Sequence, residues 1–263
     1  MDILTPILLG LVEGLTEFLP VSSTGHLIIA GHLLDFTGPK AATFSVVIQL
    51  GAILAVVVLY WKRFWGLIRP DPTQRFSGRY GIFLLVLTSL PAALLGFIAY
   101  DSIRTYLFTP VTVAWALAAG AILIILVERY QKAGRFSTLD QLTPMLALGV
   151  GFFQCLSLWP GFSRSTATII GGMILGADRK LAAEYSFIAA VPIMIAATGF
   201  DLISSWSFLA REDLLAIIIG FVVSFVAAML AIKTFIKLLG MVTLRPFAYY
   251  RLAIAPLVLF FWI

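Results

Sequence analysis

The chain has 263 residues, 61% of them hydrophobic and 12% charged, with a mean hydropathy of +1.03. No soluble domain covers that much apolar surface, so the composition implies an integral membrane protein and excludes a water-soluble one. The net charge of +5 does not point to nucleic acid, because the basic residues stand in short clusters between apolar runs and form no continuous stripe.

The single cysteine, Cys155, excludes an internal disulfide, and no Cys and His pair has zinc spacing. With Asp2 where a basic region belongs, no cleavable signal peptide is expected. The first stretch of interest runs from Glu13 to His26 and reads EGLTEFLPVSSTGH, which sets two carboxylates, several hydroxyls and an imidazole in an oily chain. A charge at the bilayer centre costs about 2.5–3.5 kcal/mol on insertion scales, so such a cluster points to a task.

Six runs are long enough to span a ~30 Å hydrocarbon core: roughly 44–61, 81–100, 111–127, 185–203, 214–232 and 246–263. Tyr60, Trp61, Tyr80, Tyr100, Tyr130, Trp206 and Trp262 fall near their ends, as aromatic belts do. Within hydrocarbon these runs must be helices, since only then are all backbone groups satisfied inside the segment.

Most of the basic residues lie in alternate connections: Lys62, Arg63, Arg69, Arg75 and Arg79; Arg129, Lys132 and Arg135; Arg179 and Lys180; Lys233, Lys237 and Arg245. The other loops hold only Arg104 and Arg211, and Lys40 precedes the first run. The positive-inside rule then puts both termini outside.

Residues 142–159 are apolar enough to cross, but 166–177 are too few to return, and both flanks are basic. A re-entrant hairpin resolves the count. Sliding the chain by 140 positions pairs PVSSTGHLIIAGHLL from Pro20 with PGFSRSTATIIGGMIL from Pro160, and Ser23 with Ser163. At nearly the same offset FSVVIQLGAILAV from Phe44 meets YSFIAAVPIMIAA from Tyr185. The expectation is one polytopic membrane domain over 1–263, all α, with six spans and two re-entrant hairpins. Its two inverted copies would cover about 1–130 and 141–263, with hairpin tips meeting near the midplane.

A short helix starting at Ser22 or Ser163 turns unpaired N–H groups toward the cavity, and Ser22, Thr24, Ser163, Ser165 and Thr166 surround them with hydroxyls. Several of these also read as helix caps. Arg164 adds a planar fork of donors for a phosphate, so the expected ligand is phosphate or diphosphate. Glu13 and Glu17, four apart, share a helix face and repel unless one keeps its proton or a divalent cation, Mg2+ or Ca2+, sits between them. His26, three residues after Ser23, is placed to activate that hydroxyl or to act as nucleophile itself, and the sequence does not separate the two.

EGLTEFLPVSSTGH and PGFSRS, in this order and separation, resemble the undecaprenyl-diphosphate phosphatases of the bacitracin-resistance type, along essentially the whole chain. The resemblance implies removal of the terminal phosphate from undecaprenyl diphosphate at the outer face of the bacterial plasma membrane, with a divalent ion required. It implies that Glu13, Glu17, Ser23, His26 and Arg164 carry the reaction. The partners expected are that lipid and the surrounding membrane; self-association into a homodimer is left open. The competing reading is a transporter or flippase of a polyprenyl phosphate, which needs an anion site but no nucleophile.

Other polar groups have plainer readings. His32 lies a turn or more beyond the tip and reads as a packing residue, whereas Gln49 is placed to reach the cavity and Asp201 is a polar group near a span end. Glu184 reads as a solvated partner of Arg179 and Lys180. Arg251 reads either as a second phosphate contact or as a side chain snorkelling to the cytoplasmic edge.

Overall fold

The computed structural model describes residues 2–130, 134–205 and 213–262. Lys132, Trp206 and Arg211 lie outside the described residues, as does the side chain of Arg104. The first hairpin is α1 (Leu4–Thr16) and α2 (Ser23–Leu33). Then come α3 (Pro39–Leu59), the short α4 (Trp61–Ile68), α5 (Gly78–Ile98) and α6 (Tyr100–Ser102), which runs into a π-helical turn at Ile103–Leu107. After α7 (Pro110–Tyr130) the second hairpin is α8 (Pro144–Gln154), extended by a 3-10 turn at Cys155–Leu158, and α9 (Arg164–Ile174). The chain closes with α10 (Arg179–Ser205), α11 (Leu214–Leu239) and α12 (Arg245–Trp262). Among the described residues there is no strand, only an isolated bridge between Phe136 and Ala177.

Every expected span is helical, and most begin earlier than their apolar runs. Pro39, for example, opens α3 at a first-turn position where its missing N–H costs nothing. Five of the helices, α3, α5, α7, α10 and α11, are long and apolar enough to cross a membrane. The sixth expected span, α12, has 18 residues but carries Arg245, Tyr249, Tyr250 and Arg251, and is not among them. Trp115, Ile122, Leu230 and Phe260 point outward from the bundle, which suits a lipid surround. The chain is therefore an all-helical, multi-pass membrane protein.

Packing fixes α1 against α11 through small residues. A Cβ on Gly14 would lie 2.7 Å from the Ala227 Cβ, and one on Gly10 would lie 2.6 Å from the Gly220 carbonyl oxygen. Only glycine lets two helix backbones approach this closely, and the approach buries Glu13 between these two positions. Elsewhere α3 also packs on α11, α7 on α12, and α8 on both α5 and α9.

At the membrane edge, Arg179 does not pair with Glu184. Its Nε and Nη2 donate to the two carboxylate oxygens of Glu128, both at 2.7 Å, and the Leu244 N–H donates to Glu128 Oε1 at 3.0 Å. Three elements distant in sequence meet there: the end of α7, the start of α10 and the approach to α12. Glu184 was the neighbour in sequence, but the bidentate geometry that guanidinium favours is available only at Glu128.

Arg251 is fully buried, at 0% exposure, which corrects both readings of it. Its Nε donates to the Leu117 carbonyl at 3.1 Å and its Nη2 to those of Ala116, Gly161 and Phe162 at 3.2, 3.2 and 2.9 Å. Its Nη1 reaches the Pro20 carbonyl at 3.3 Å and the Thr166 hydroxyl at 2.8 Å. One guanidinium from α12 thus ties the first tip, the second tip and α7 together. Gly120 leaves the room, since a Cβ there would collide with the guanidinium. A second tie runs from Ser165 Oγ to the Leu19 carbonyl at 2.8 Å.

Replacing Arg251 by methionine keeps the bulk and removes every donor, stranding buried acceptors at about 1–3 kcal/mol each. The Arg251→Met protein should melt roughly 6 °C or more below wild type in detergent. Lysine, with three donors and no fork, should recover only part of that loss. An unchanged melting temperature for Arg251→Met would remove Arg251 from the role given to it here.

Candidate active site

Both hairpins break at the same kind of point. α2 starts after Ser22 (φ 71, ψ 96) and α9 after Ser163 (φ 77, ψ 121), and each is 11 residues long. Non-glycine residues at such angles cost about 1–3 kcal/mol each and persist only where their surroundings over-determine them. Here the surroundings include N-cap bonds: Ser22 Oγ accepts from the Gly25 N–H at 3.4 Å and Ser163 Oγ from the Thr166 N–H at 3.2 Å. By conformation the counterpart of Ser163 is Ser22, so the register between the tips is one residue longer than the 140 that pairs Ser23 with Ser163. Ser23 then stands where the second tip carries Arg164, and the two tips bring different chemistry to equivalent places.

The charged groups meet across the hairpins. Ser23 Oγ donates to Glu17 Oε2 at 2.5 Å, and Arg164 Nη2 donates to Glu17 Oε1 at 3.2 Å. Arg164 Nη1 also reaches the Ser186 carbonyl at 3.1 Å, and its guanidinium lies 5.2 Å over the Phe18 ring. Glu17 therefore has a positive neighbour in Arg164. Two buried atoms keep spare capacity: Glu13 Oε1 and Arg164 Nε have no hydrogen-bond partner. In a low-dielectric interior a polar atom without a partner costs roughly 1–3 kcal/mol, so each has capacity for one further hydrogen bond.

A cavity of about 190 Å³ lies between the tips, lined by Glu17, Ser22, Ser23, Thr24, Ser163 and Arg164, with Gln49, Ser157 and Met194 closing it. A larger one of about 510 Å³ adjoins it and shares Ser23, Thr24 and Gln49. Glu13, His32, Thr37, Ser45 and Asp201 are its other polar lining; the remainder is apolar, including Leu27, Ile28, Phe108 and Trp262. Gln49 does reach the cavities, and it also accepts from Thr198 Oγ1 at 3.3 Å. His32 lines the larger one instead of packing between helices.

Not every expected residue arrives there. Ser165 and Thr166 are buried away from both cavities, their hydroxyls engaged with Leu19 and Arg251. His26 lines neither cavity: its ring bridges the Ser22 carbonyl and the Tyr250 hydroxyl, and the bond that Ser23 makes is to Glu17. Tyr250, Ser186 and Met194 carried no signal in the sequence, since all three fall inside expected spans. Arg164 finds its acidic partner in Glu17, 147 positions away in the sequence.

Chemically, two helix N-termini, a guanidinium and a ring of hydroxyls make a pocket for an anion such as phosphate. A hydroxyl hydrogen-bonded to a carboxylate lies inside it, an arrangement with the chemistry to activate that hydroxyl. The apolar cavity next door suits a substrate whose anionic head is attached to an oily tail.

Known proteins can be compared on that basis. An undecaprenyl-diphosphatase of Nitratidesulfovibrio vulgaris is 68% identical over 260 residues, 99% of this chain and 98% of that protein. One of Maridesulfovibrio salexigens is 66% identical over 261 residues, 99% of each. More distant is undecaprenyl-diphosphatase 1 of Bacillus thuringiensis, 49% identical over 256 residues, 97% of each. The family model described as bacitracin resistance protein BacA matches residues 6–257, a range that holds both hairpins and Arg251 alike, and the chain belongs to that family.

Proposed function

We propose that this chain hydrolyses undecaprenyl diphosphate to undecaprenyl phosphate and inorganic phosphate, recycling the lipid carrier for cell-wall synthesis and so conferring bacitracin resistance. The substrate is the one named for its relatives. The observation that carries the reading is the pairing of Ser23 Oγ with Glu17 Oε2 at 2.5 Å, with Arg164 on the other carboxylate oxygen.

Ser23 Oγ attacks the terminal phosphorus while its proton passes to Glu17. The bond from that phosphorus to the bridging oxygen breaks, and undecaprenyl phosphate leaves with the oxygen. Once protonated, Glu17 no longer holds the guanidinium, and Arg164 turns its charge to the transferring phosphoryl group. Water then attacks the phosphoserine; as the Oγ–P bond breaks, Glu17 returns its proton to Ser23 Oγ and the water protons leave on the inorganic phosphate, which restores the free hydroxyl and the charged carboxylate. Thr24, Ser163 and the N–H groups at the starts of α2 and α9 hold the remaining phosphate oxygens.

Purified protein in detergent should release phosphate from a prenyl diphosphate, and Ser23→Ala and Arg164→Ala should each lower turnover by at least ~100-fold. Binding of the lipid by wild type without phosphate release would favour a transporter instead.

A divalent cation, Mg2+ or Ca2+, fits at Glu13 and Glu17. Glu13 offers a buried oxygen with no partner, and an ion that keeps waters and takes phosphate oxygens needs only one or two carboxylates. Among the described residues no group of three or more His, Cys, Asp or Glu forms a closed cage. Such an ion would neutralise diphosphate charge and orient the head group. Excess chelator should then silence the enzyme and added Mg2+ or Ca2+ restore it; full activity in chelator would mean that Glu13 carries a proton instead.

The finer arrangement proposed is six spans, α3, α5, α7, α10, α11 and α12, plus two re-entrant hairpins related by an inverted repeat. Its support is that α1, α2, α8 and α9 are each shorter than the ~20 residues a crossing needs, and that both tips start helices from matched left-handed serines. The basic connections then face the cytoplasm, and both termini and the larger cavity face outward. In a Cys155→Ser background, a membrane-impermeant maleimide on intact cells should label Thr37→Cys and spare Pro72→Cys. The opposite pattern would invert the topology.

A further inference from the structure

The His26 ring is committed at both nitrogens. Nδ1 lies 2.7 Å from the Ser22 carbonyl oxygen, and a carbonyl only accepts, so Nδ1 carries the hydrogen. Nε2 of the neutral ring is then an acceptor, and the Tyr250 hydroxyl 2.8 Å away donates to it. The two rings stack, with centroids 5.5 Å apart and planes 14° from parallel. Neither nitrogen is left for the Ser23 hydroxyl, which is bonded to Glu17, or for a phosphorus atom in cavities that His26 does not line.

What the ring does hold is the residue before the nucleophile. In the second tip, the backbone N–H of Ala167 reaches the Ser163 carbonyl at 3.0 Å, an ordinary helical bond. In the first tip the matching bond, from the His26 N–H to the Ser22 carbonyl, is 3.4 Å, and the shorter bond comes from the ring. The Ser22 carbonyl thus accepts from the imidazole at closer range than from the helical N–H. Only the tip that carries Ser23 has this extra restraint, since the position of His26 is Ala167 in the other.

We infer that His26, oriented by Tyr250, is a positioning residue: it holds the Ser22 carbonyl and thereby sets the first turn of α2 so that Ser23 Oγ meets Glu17. It neither exchanges a proton with the substrate nor attacks it. The inference rests on the phosphatase reading above and gives His26 a different part in it. A displacement of about 1 Å at a reacting atom is enough to cost ~100-fold in rate, so the loss of such a brace is felt in turnover.

Side-chain geometry supplies the test. Asparagine carries an N–H on its γ-carbon where histidine carries Nδ1, whereas glutamine extends its amide toward the Nε2 position. In phosphate-release assays on purified protein, His26→Asn should keep about a tenth of wild-type kcat or more, with the acid limb of the pH profile intact. His26→Ala and His26→Gln should lose ~100-fold in kcat with KM changed little, and Tyr250→Phe should fall between them and wild type. His26→Asn as inactive as His26→Ala at an unchanged melting temperature would mean that the imidazole itself reacts, overturning the inference. So would full activity in all three His26 variants. If the variants fail to fold, 15N NMR of histidine in the wild-type protein decides: a protonated Nδ1 whose signal moves in Tyr250→Phe supports the brace, and a bare Nδ1 overturns it. Wild-type protein that releases no phosphate sinks the phosphatase reading instead, and the NMR measurement still reports on the brace.

Discussion

The rest of the molecule depends on a buried guanidinium that has backbone oxygens for partners. Arg251 draws its acceptors from three places, Pro20 in one tip, Gly161 and Phe162 in the other, and Ala116 and Leu117 in α7. Broken helices leave carbonyls without helical donors, and in a dry interior each is a cost. A single planar fork placed where the loose ends converge cancels several of those costs at once. It also fixes how far apart the two tips stand, and hence whether Glu17 and Arg164 can touch. The next residue on the same helix, Tyr250, meets His26, so α12 supports the site from two adjacent positions.

A second constraint is electrical. Glu13, Glu17 and Arg164 sit where an unmatched charge is expensive, and they have been brought from different hairpins to offset one another. Ser23 joins through Glu17, so the group that would react and the group that would stabilise charge share one carboxylate. The cavity beside them has room for a phosphate head, and the larger apolar cavity continues from it through Ser23, Thr24 and Gln49.

How much of this was legible in the sequence follows from where each partner lies. Both broken tips were visible because polar residues in an oily chain stand out, and the N-cap serines fell where the helices were expected to start. The helical runs were equally plain, since hydrophobic length is a local property. The ion pair across the hairpins was not: nothing near Arg164 in the sequence is acidic, and Glu17 comes from the other hairpin, 147 positions away. Arg251 was harder still. Its partners are almost all carbonyls, which every residue has, so no residue type announces them. For the same reason the bond from His26 to the Ser22 backbone left no trace, and the imidazole was paired with the nearest hydroxyl side chain. Arg179 was matched to Glu184, its neighbour in sequence, although the bidentate partner Glu128 lies 51 positions away.

The Arg164–Glu17 pair bears on how the site would handle anions over repeated cycles. A guanidinium that already has a counter-ion does not stand waiting for phosphate; any arriving anion must compete with a tethered carboxylate that never diffuses away. Tethering keeps that carboxylate at a standing effective concentration beside the guanidinium. The competition would apply to departing anions as well: in the proposed cycle, Glu17 on recovering its charge would displace spent phosphate from the arginine. Such a site would give up affinity in exchange for quick clearance.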